Sequence, residues 1–117
     1  MTTSTLFILN DAPYGNERAY NALRLAAALA AKDNQQVRLF LMADAVTCAK
    51  AGQKVPDGYY NVQLMLGKVI RKGEVALCGT CMDARGVTQA EVIEGAQRST
   101  LAKLADWTAE ASKVLVF

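Results

Sequence analysis

Short apolar runs alternate with helix-forming segments along the whole chain, and this alternation limits the fold more than any other feature of the sequence. The first run, "STLFILN" from Ser4 to Asn10, stops at Asn-Asp-Ala-Pro, which is typical of a buried strand followed by a turn. Strands that alternate with helices require crossover connections, and therefore a parallel sheet with helices on both faces. The sequence predicts a three-layer α/β/α fold with a mainly parallel sheet of about five strands, formed by a single domain over residues 1–117. The four later runs of strand length are Val37–Met42, "EVALC" at Glu74–Cys78, Ala96–Ser99 and "KVLVF" at Lys113–Phe117.

Helical patterns fill the intervals between these runs. The first helix is predicted over about Asn16–Lys32, with Asn16 as its cap, because the segment is rich in Ala and Leu. Asp44 is predicted to cap a second helical segment directly after the second strand. A third helix is predicted between a cap at Asn61 and a terminal Gly73. Its apolar side chains share one face at helical spacing: Val62, Met65, Leu66, Val69 and Ile70.

Two helical segments follow the third strand. Thr88–Glu91 matches a capping box for a short helix that ends at Gly95. Trp107 falls outside the predicted inner face of the last helix, so it is interpreted as an interface or surface-groove residue. That inner face is predicted to consist of Leu101, Leu104, Ala105, Thr108 and Ala111.

The chain of 117 residues contains no histidine, which excludes the most familiar catalytic arrangements. A Ser-His-Asp or Cys-His pair, a histidine metal ligand and a histidine general base are all ruled out within the chain. The net charge of +2 comes with no basic cluster, so neither nucleic acid nor a membrane is an expected partner. The N-terminus lacks a positive signal-peptide region, and no apolar stretch reaches the roughly 18 residues of a membrane span. Three cysteines, an odd number, favour a reducing cytoplasm over a disulfide framework.

In a parallel sheet all strands end at one edge, where ligands of open α/β folds usually bind. The loop after the first strand delivers residues 10–15, the segment after the second delivers Asp44 and Cys48, and the third strand delivers Cys78–Gly86. The loop Gly52–Tyr60 is a candidate lid over the cysteines, and its Tyr59 and Tyr60 are candidates for ligand stacking or a subunit contact. The candidate ligand-binding residues are Asn10, Pro13, Tyr14, Gly15, Asp44, Gly79 and Thr80.

The stretch "LCGTCMDARG" places two cysteines three positions apart, and several interpretations fit this spacing. Zinc normally needs four ligands, whereas the chain has one such pair, a separate Cys48 and no histidine, so no metal is expected. Cys-x-x-Cys is also the spacing of redox dithiols. A third interpretation is a sulfur-carrying nucleophile, which needs an exposed thiolate and a positive field such as Arg85 supplies. A fourth is an ordinary pair of packed thiols, because cysteine is often buried.

The sequence resembles the DsrE family of small sulfur-relay proteins, and within it the YchN-like branch. The carrying segments are "NDAPYGNERAYNALRLA", "RLFLMADAVTCAKAGQK", "LCGTCMDARG" and "LADWTAEASKVLVF", which together extend over nearly the whole chain. The resemblance implies a flavodoxin-related α/β fold, a cytoplasmic location and a homo-oligomer, either a trimer or a hexamer. Sulfur-transferring members accept a persulfide on a cysteine that follows a central strand and precedes an Arg-Gly pair. By resemblance Cys78, ahead of Arg85 and Gly86, is the catalytic sulfur acceptor of a sulfurtransferase or sulfur carrier, with no cofactor and with donor and acceptor proteins as partners.

Cys81 departs from the family pattern, because the sulfur carriers of this family generally work with one cysteine at this loop. A second thiol can attack the persulfide, release sulfide and leave a disulfide, which makes Cys81 a candidate catalytic residue beside Cys78. It is equally compatible with a dithiol redox protein or with a homo-oligomeric protein that binds a small molecule without catalysis. The sequence leaves these three functions open.

Overall fold

The computed structural model describes residues 2–117, which form five strands, four α-helices and two 3-10 helices. In chain order the elements are β1 (Thr3–Leu9), α1 (Arg18–Ala30), β2 (Gln35–Leu41), a first 3-10 helix (Ala43–Ala49), α2 (Val62–Lys72), β3 (Glu74–Cys78), α3 (Gly79–Ala84), a second 3-10 helix (Gln89–Glu91), β4 (Ala96–Ser99), α4 (Leu101–Glu110) and β5 (Lys113–Val116). No helix in this part of the chain is long and apolar enough to cross a membrane.

The five strands form one parallel sheet in the order β4-β3-β2-β1-β5. The first three connections each step to the neighbouring strand on the same side, and the last returns from β4 to the opposite edge beside β1. Since parallel crossovers are right-handed, this reversal puts α4 on the face opposite α1 and α2. The predicted three-layer α/β/α arrangement with a five-stranded parallel sheet is confirmed.

Strand β2 shows how the apolar sequence fills both layers. Val37, Leu39 and Leu41 are fully buried toward one face, and Phe40 is buried toward the other. The Phe40 ring packs edge-on against Trp107 of α4, with 6.1 Å between ring centroids and planes at 88°. A strand buried on both faces reads as a continuous apolar run, which is why β2 was recognisable without alternation.

The prediction for the inner face of α4 was wrong at four positions. Trp107 is 4% exposed and belongs to the core, whereas Leu101, Ala105 and Thr108 are exposed. Leu104 and Trp107, one turn apart, form the buried face, and the guanidinium of Arg38 covers the Trp107 ring at 5.3 Å. A five-stranded sheet with only one helix on this side needs a large side chain to cover it, and the indole of Trp107 provides that area.

The helix caps match the predictions only in part. Asn61 accepts a hydrogen bond from the backbone N–H of Leu64 at 3.2 Å, and the predicted capping box closes between Thr88 and Glu91. Asn16 accepts from the Arg18 N–H at 3.0 Å, although the residue at the cap of α1 is Glu17. Asp44 is displaced in the opposite direction: the residue at the cap of the first 3-10 helix is Met42, and Asp44 lies inside that helix, which begins at Ala43.

Gly73 connects α2 to β3 and requires glycine for a steric reason. Its backbone is extended, not left-handed, with φ at −140°. A Cβ atom at this position would collide with the backbone carbonyl of Val37 on the neighbouring strand. The C-terminal glycine was predicted at the correct place, but close strand–helix approach explains it, whereas a left-handed cap does not.

Replacing Gly73 with alanine should destabilise the fold by about 1–3 kcal/mol, because neither the new methyl group nor the Val37 carbonyl has room to move. Gly67→Ala in the middle of α2 is the matched control, since nothing lies within 4 Å of its Cβ position. This control should be neutral or stabilising by up to about 1 kcal/mol through helix propensity. Urea denaturation of both variants measures the difference, and equal midpoints would contradict the steric explanation.

Candidate functional site

The end of β3 turns directly into α3, and Cys78 stands at this junction. Cys78 is the last residue of the strand and the N-cap of the helix. Its Sγ accepts a hydrogen bond from the backbone N–H of Cys81 at 3.3 Å and lies 3.3 Å from Thr80 Oγ1. A sulfur atom here therefore fills the role that Ser or Asp usually has at a helix start, where free N–H groups favour a negative charge.

Gly79 makes the tight junction possible. A Cβ at this residue would lie 2.9 Å from the Ser99 carbonyl and 3.0 Å from the Arg98 guanidinium, both on the neighbouring strand β4. The backbone of α3 can therefore approach β4 only because residue 79 has no side chain. This contact fixes the direction in which the first turn of α3 presents its N–H groups to Cys78.

A pocket of about 380 Å³ opens in front of the two thiols, on the side of the sheet that α4 covers. Cys78 is 8% exposed and lines this pocket, so it lies at the boundary between the core and the pocket. The volume falls within the range of small-molecule sites, about 300–1,000 Å³. Its lining consists of Phe40, Met42, Cys78, Gly79, Thr80, Cys81, Arg98, Ser99, Thr100 and Leu101.

The two thiols have opposite tendencies to ionise. Burial alone raises the pKa of Cys78, but hydrogen bonds from the side chains and backbones of Cys81 and Thr80 outweigh it and lower that pKa below its ordinary value. The pKa of Cys81 is raised, first by burial and then by its hydrogen bond to Cys78 and the charge on that sulfur. Cys78 is therefore the more acidic thiol of the pair, and Cys81 is the less acidic one.

Ala43 and Arg85 both act on Cys81. Ala43 has a left-handed φ of 49°, which is strained for a residue with a Cβ, and its backbone lowers the pKa of Cys81. Arg85 donates to the Cys81 carbonyl at 3.1 Å and to the Asp44 carboxylate at 2.8 Å. The structure thus brings Asp44 and Arg85 together behind Cys81, outside the pocket lining.

Arg98 is the pocket cation that the sequence analysis missed. It forms a two-point ion pair with Asp83, at 2.8 and 2.9 Å, and its charge interacts with that of Cys78. The residue comes from β4, where Leu77 pairs with Arg98 and Cys78 pairs with Ser99. Only this strand pairing places Arg98 beside the thiols. The sequence predicted a short fourth strand at this position, but it did not predict which strand it would pair with.

The first loop forms a separate cluster on the opposite side of the sheet. The Tyr14 hydroxyl donates to the Gln53 side chain at 2.6 Å and accepts from the Val62 N–H at 3.1 Å, and its ring stacks on Tyr60. The loop Gly52–Tyr60 therefore packs on Tyr14 and does not cover the cysteines, which corrects the lid prediction. These residues form a second pocket of about 450 Å³, lined by Tyr14, Glu17, Lys54, Val55, Pro56, Tyr59 and Tyr60.

The other predicted ligand residues of this loop have structural contacts of their own. Asn10 donates through its side chain to the Phe117 carbonyl at 3.2 Å, tying the end of β1 to the end of the chain. Gly15 adopts a positive φ of 106°, which any side chain would disfavour. Of the seven predicted ligand-binding residues, Gly79 and Thr80 line the cysteine pocket and Tyr14 lines the aromatic one, and a role in binding remains a prediction for all seven.

Cys48 is a packed thiol. It is fully buried, its sulfur lies 3.8 Å from the Asp11 carbonyl, and burial raises its pKa to about 12. Within residues 2–117, no group of three or more Cys, Asp or Glu side chains is placed to hold a metal ion.

The fold and the site together define a class: a parallel α/β protein whose third strand ends in a cysteine that caps a short helix, beside a second cysteine. The DsrE/DsrF-like family profile matches residues 3–117, and the chain belongs to that family. Membership supports a role related to sulfur relay.

Relatives extend over nearly the full length of the chain. Protein YchN of Escherichia coli strain K12 is 46% identical over 114 residues, which cover 96% of this chain and 97% of YchN. Protein MK0008 of Methanopyrus kandleri is 40% identical over 111 residues, which cover 94% of this chain and 90% of that protein. The crystal structure of YchN from E. coli superposes with a TM-score of 0.93 at 45% identity, covering 99% of this chain and 100% of YchN. MTH1491 of Methanobacterium thermoautotrophicum shares the fold at a TM-score of 0.75 and 10% identity, with 98% and 99% of the two chains covered.

Alkylation of the native protein with iodoacetamide should rank the three thiols. Cys78 should react first because its lowered pKa gives more thiolate at neutral pH, Cys81 should follow, and buried Cys48 should stay unmodified.

Arg98→Gln should slow Cys78 alkylation, because loss of the nearby positive charge disfavours the thiolate. Peptide mass mapping over time measures all three rates.

Arg18→Gln is the matched control, since Arg18 pairs with Asp11 on the exposed surface. An unchanged Cys78 rate in Arg98→Gln, or a Cys48 rate equal to that of Cys78, would contradict the assignment.

Proposed function

We propose that this protein carries sulfane sulfur as a persulfide on Cys78. The observation that supports the proposal most is the position of Cys78 as a helix cap with a lowered pKa, at the wall of a pocket of about 380 Å³. Sulfur uptake needs a thiolate with access to a donor, and it needs neither histidine nor a metal. The neighbouring thiol Cys81 and the cation Arg98 favour that thiolate.

The uptake step follows from thiolate chemistry. The Cys78 thiolate attacks the outer sulfur of a donor persulfide, a bond forms between Sγ and that sulfur, and the donor's own S–S bond breaks. The donor leaves as a thiolate with the electron pair of the broken bond. Delivery is the same reaction in reverse, in which an acceptor thiolate takes the outer sulfur and Cys78 leaves as a thiolate. Donor and acceptor in this proposal are proteins or small thiols of a reducing cytoplasm, where three free cysteines persist.

The walls of the pocket suit a small donor group. Phe40, Met42 and Leu101 form an apolar side, and Arg98 with the hydroxyls of Thr80 and Thr100 forms a polar side. An apolar side excludes water from the persulfide, and the cation stabilises the negative charge that moves between sulfur atoms during transfer. The pocket thus fits either a low-molecular-weight persulfide or the tip of a protein loop that carries one.

We also propose that the protein is a homo-oligomer, a trimer or a hexamer. The edge strand β5 exposes Val114 at 40% and Val116 at 65% of their surface. Both side chains lie on the same sheet face as Phe40, because β5 pairs with β1 and β1 with β2 in register. A row of exposed apolar side chains on an unpaired edge strand is typical of a surface that a second copy covers.

Incubation with a persulfide donor should add about 32 Da to the chain, the mass of one sulfur atom. Intact mass under non-reducing conditions should show the adduct in Cys48→Ser and Cys81→Ser and should not show it in Cys78→Ser. Cys48→Ser is the matched control, because Cys48 is a buried thiol with no access to the pocket. An adduct of equal yield in Cys78→Ser, or none in Cys81→Ser, would refute sulfur carriage by Cys78.

Sedimentation velocity should give a mass three or six times the 12.6 kDa of the chain. Val116→Asp should reduce that mass, since a carboxylate cannot be buried unpaired in an apolar contact. Leu25→Asp on α1 is the matched control, because Leu25 is 44% exposed on the opposite face of the sheet. A single species at the chain mass in the wild type would rule out the oligomer.

A further inference from the structure

The two thiols of the pocket are placed to react with each other once one of them carries sulfur. Cys81 follows Cys78 by three residues on the first turn of α3, and its backbone N–H lies 3.3 Å from Cys78 Sγ. Both side chains line the same pocket. Cys-x-x-Cys at the start of a helix is the spacing at which two cysteines form a reversible disulfide. The geometry therefore supports attack by Cys81 on whatever is bonded at Sγ.

We propose that Cys81 attacks the Cys78 persulfide and releases its outer sulfur as hydrosulfide, so that the protein reduces sulfane sulfur to sulfide. This step rests on the proposed function of Cys78 as the sulfur acceptor. A bond forms between Cys81 Sγ and Cys78 Sγ, and the bond between Cys78 Sγ and the outer sulfur breaks. The electron pair of the broken bond leaves with the outer sulfur as HS⁻. The two cysteines lose two electrons in forming a disulfide, and the sulfane sulfur gains them.

A second cycle requires one co-reactant, a reductant for the Cys78–Cys81 disulfide. The proton of the Cys81 thiol is released to solvent when Cys81 becomes the attacking thiolate. An external dithiol then reduces the Cys78–Cys81 disulfide by thiol–disulfide exchange, supplying two electrons and two protons and leaving as a disulfide itself. The pair thereby returns to the reduced state in which Cys78 accepts the next sulfur.

Addition of sulfur to Cys78 weakens two of the interactions that raise the pKa of Cys81. In the reduced protein, burial raises the pKa of Cys81, and the hydrogen bond to Cys78 and the charge on that sulfur raise it further. When Cys78 Sγ forms its second covalent bond, the thiolate charge leaves that atom and both of these contributions weaken. The Ala43 N–H and the Arg85 cation, which lower the pKa of Cys81, remain in place. Uptake by Cys78 thus precedes and promotes attack by Cys81.

The pocket provides the path for the leaving sulfur. Cys78 and Cys81 both lie on its wall, and its other residues include Arg98, Thr80 and Ser99. A cation and hydroxyl donors stabilise a leaving hydrosulfide anion, which would otherwise be poorly accommodated beside Phe40 and Met42. The same groups that favour uptake at Cys78 therefore also favour release.

A single-turnover experiment tests the proposal. Fully reduced protein, freed of reductant, is loaded briefly with inorganic polysulfide and desalted, and intact mass and free sulfide are then followed in time. In the wild type the adduct of about 32 Da should decay to a mass about 2 Da below that of the reduced protein, with matching release of sulfide. The rate should not depend on protein concentration, because the attack is intramolecular. Peptide mapping should find a disulfide between Cys78 and Cys81.

Two variants separate this step from sulfur carriage itself. In Cys81→Ser the adduct should form but persist at least about tenfold longer, because the attacking thiol is gone. Cys48→Ser, the matched control, should behave as the wild type does. Sulfide release from Cys81→Ser at the wild-type rate, or a wild-type adduct as long-lived as that of the variant, would overturn this inference and leave the carrier function standing. Absence of any adduct on Cys78 would overturn both.

Discussion

The hydrogen bond from the Cys81 backbone N–H to Cys78 Sγ is the interaction on which the site depends. It exists because β3 passes into α3 with no loop between them, so the last residue of the strand is also the cap of the helix. That passage requires glycine at position 79, where the Ser99 carbonyl and the Arg98 guanidinium of β4 leave no room for a side chain. The ionisation of Cys78 therefore depends on the pairing of β3 with β4 and on the absence of a side chain at residue 79.

The three cysteines of one small domain show how strongly local environment controls thiol chemistry. Cys48, sealed in the core, has a pKa raised to about 12 and is inert at neutral pH. Cys81, half-buried, is also held as a thiol, but its pKa depends on the charge of its neighbour. Cys78 is as buried as many core residues, yet hydrogen bonds to its sulfur outweigh the cost of burial. Burial therefore separates Cys48 from the other two thiols, and donor groups separate Cys78 from Cys81.

The carboxyl edge of the sheet carries two separate regions. Cys78 and Leu101 lie on the side of α4, whereas Tyr14 and Tyr60 lie on the side of α1 and α2. Asp44 and Arg85 pair at the border behind Cys81. Strand ends therefore bring the expected loops to one edge, but the sheet itself divides them between its two faces.

Sequence alone determined the order and type of the elements. The apolar runs gave the strands, the helical spacing from Val62 to Ile70 gave α2, and the absence of histidine limited the chemistry to thiols, carboxylates and cations. It also marked Cys78 and Cys81 as one candidate site, since their spacing is local.

Tertiary structure decided which residues surround that site. Arg98 reaches it only through the pairing of β4 with β3, Trp107 turned inward because one helix must cover one face of the sheet, and Tyr14 joined the opposite face. Contacts between residues far apart in the chain depend on strand order and handedness, which local patterns do not encode, and this is why the reactive sulfur was predictable while its surroundings were not.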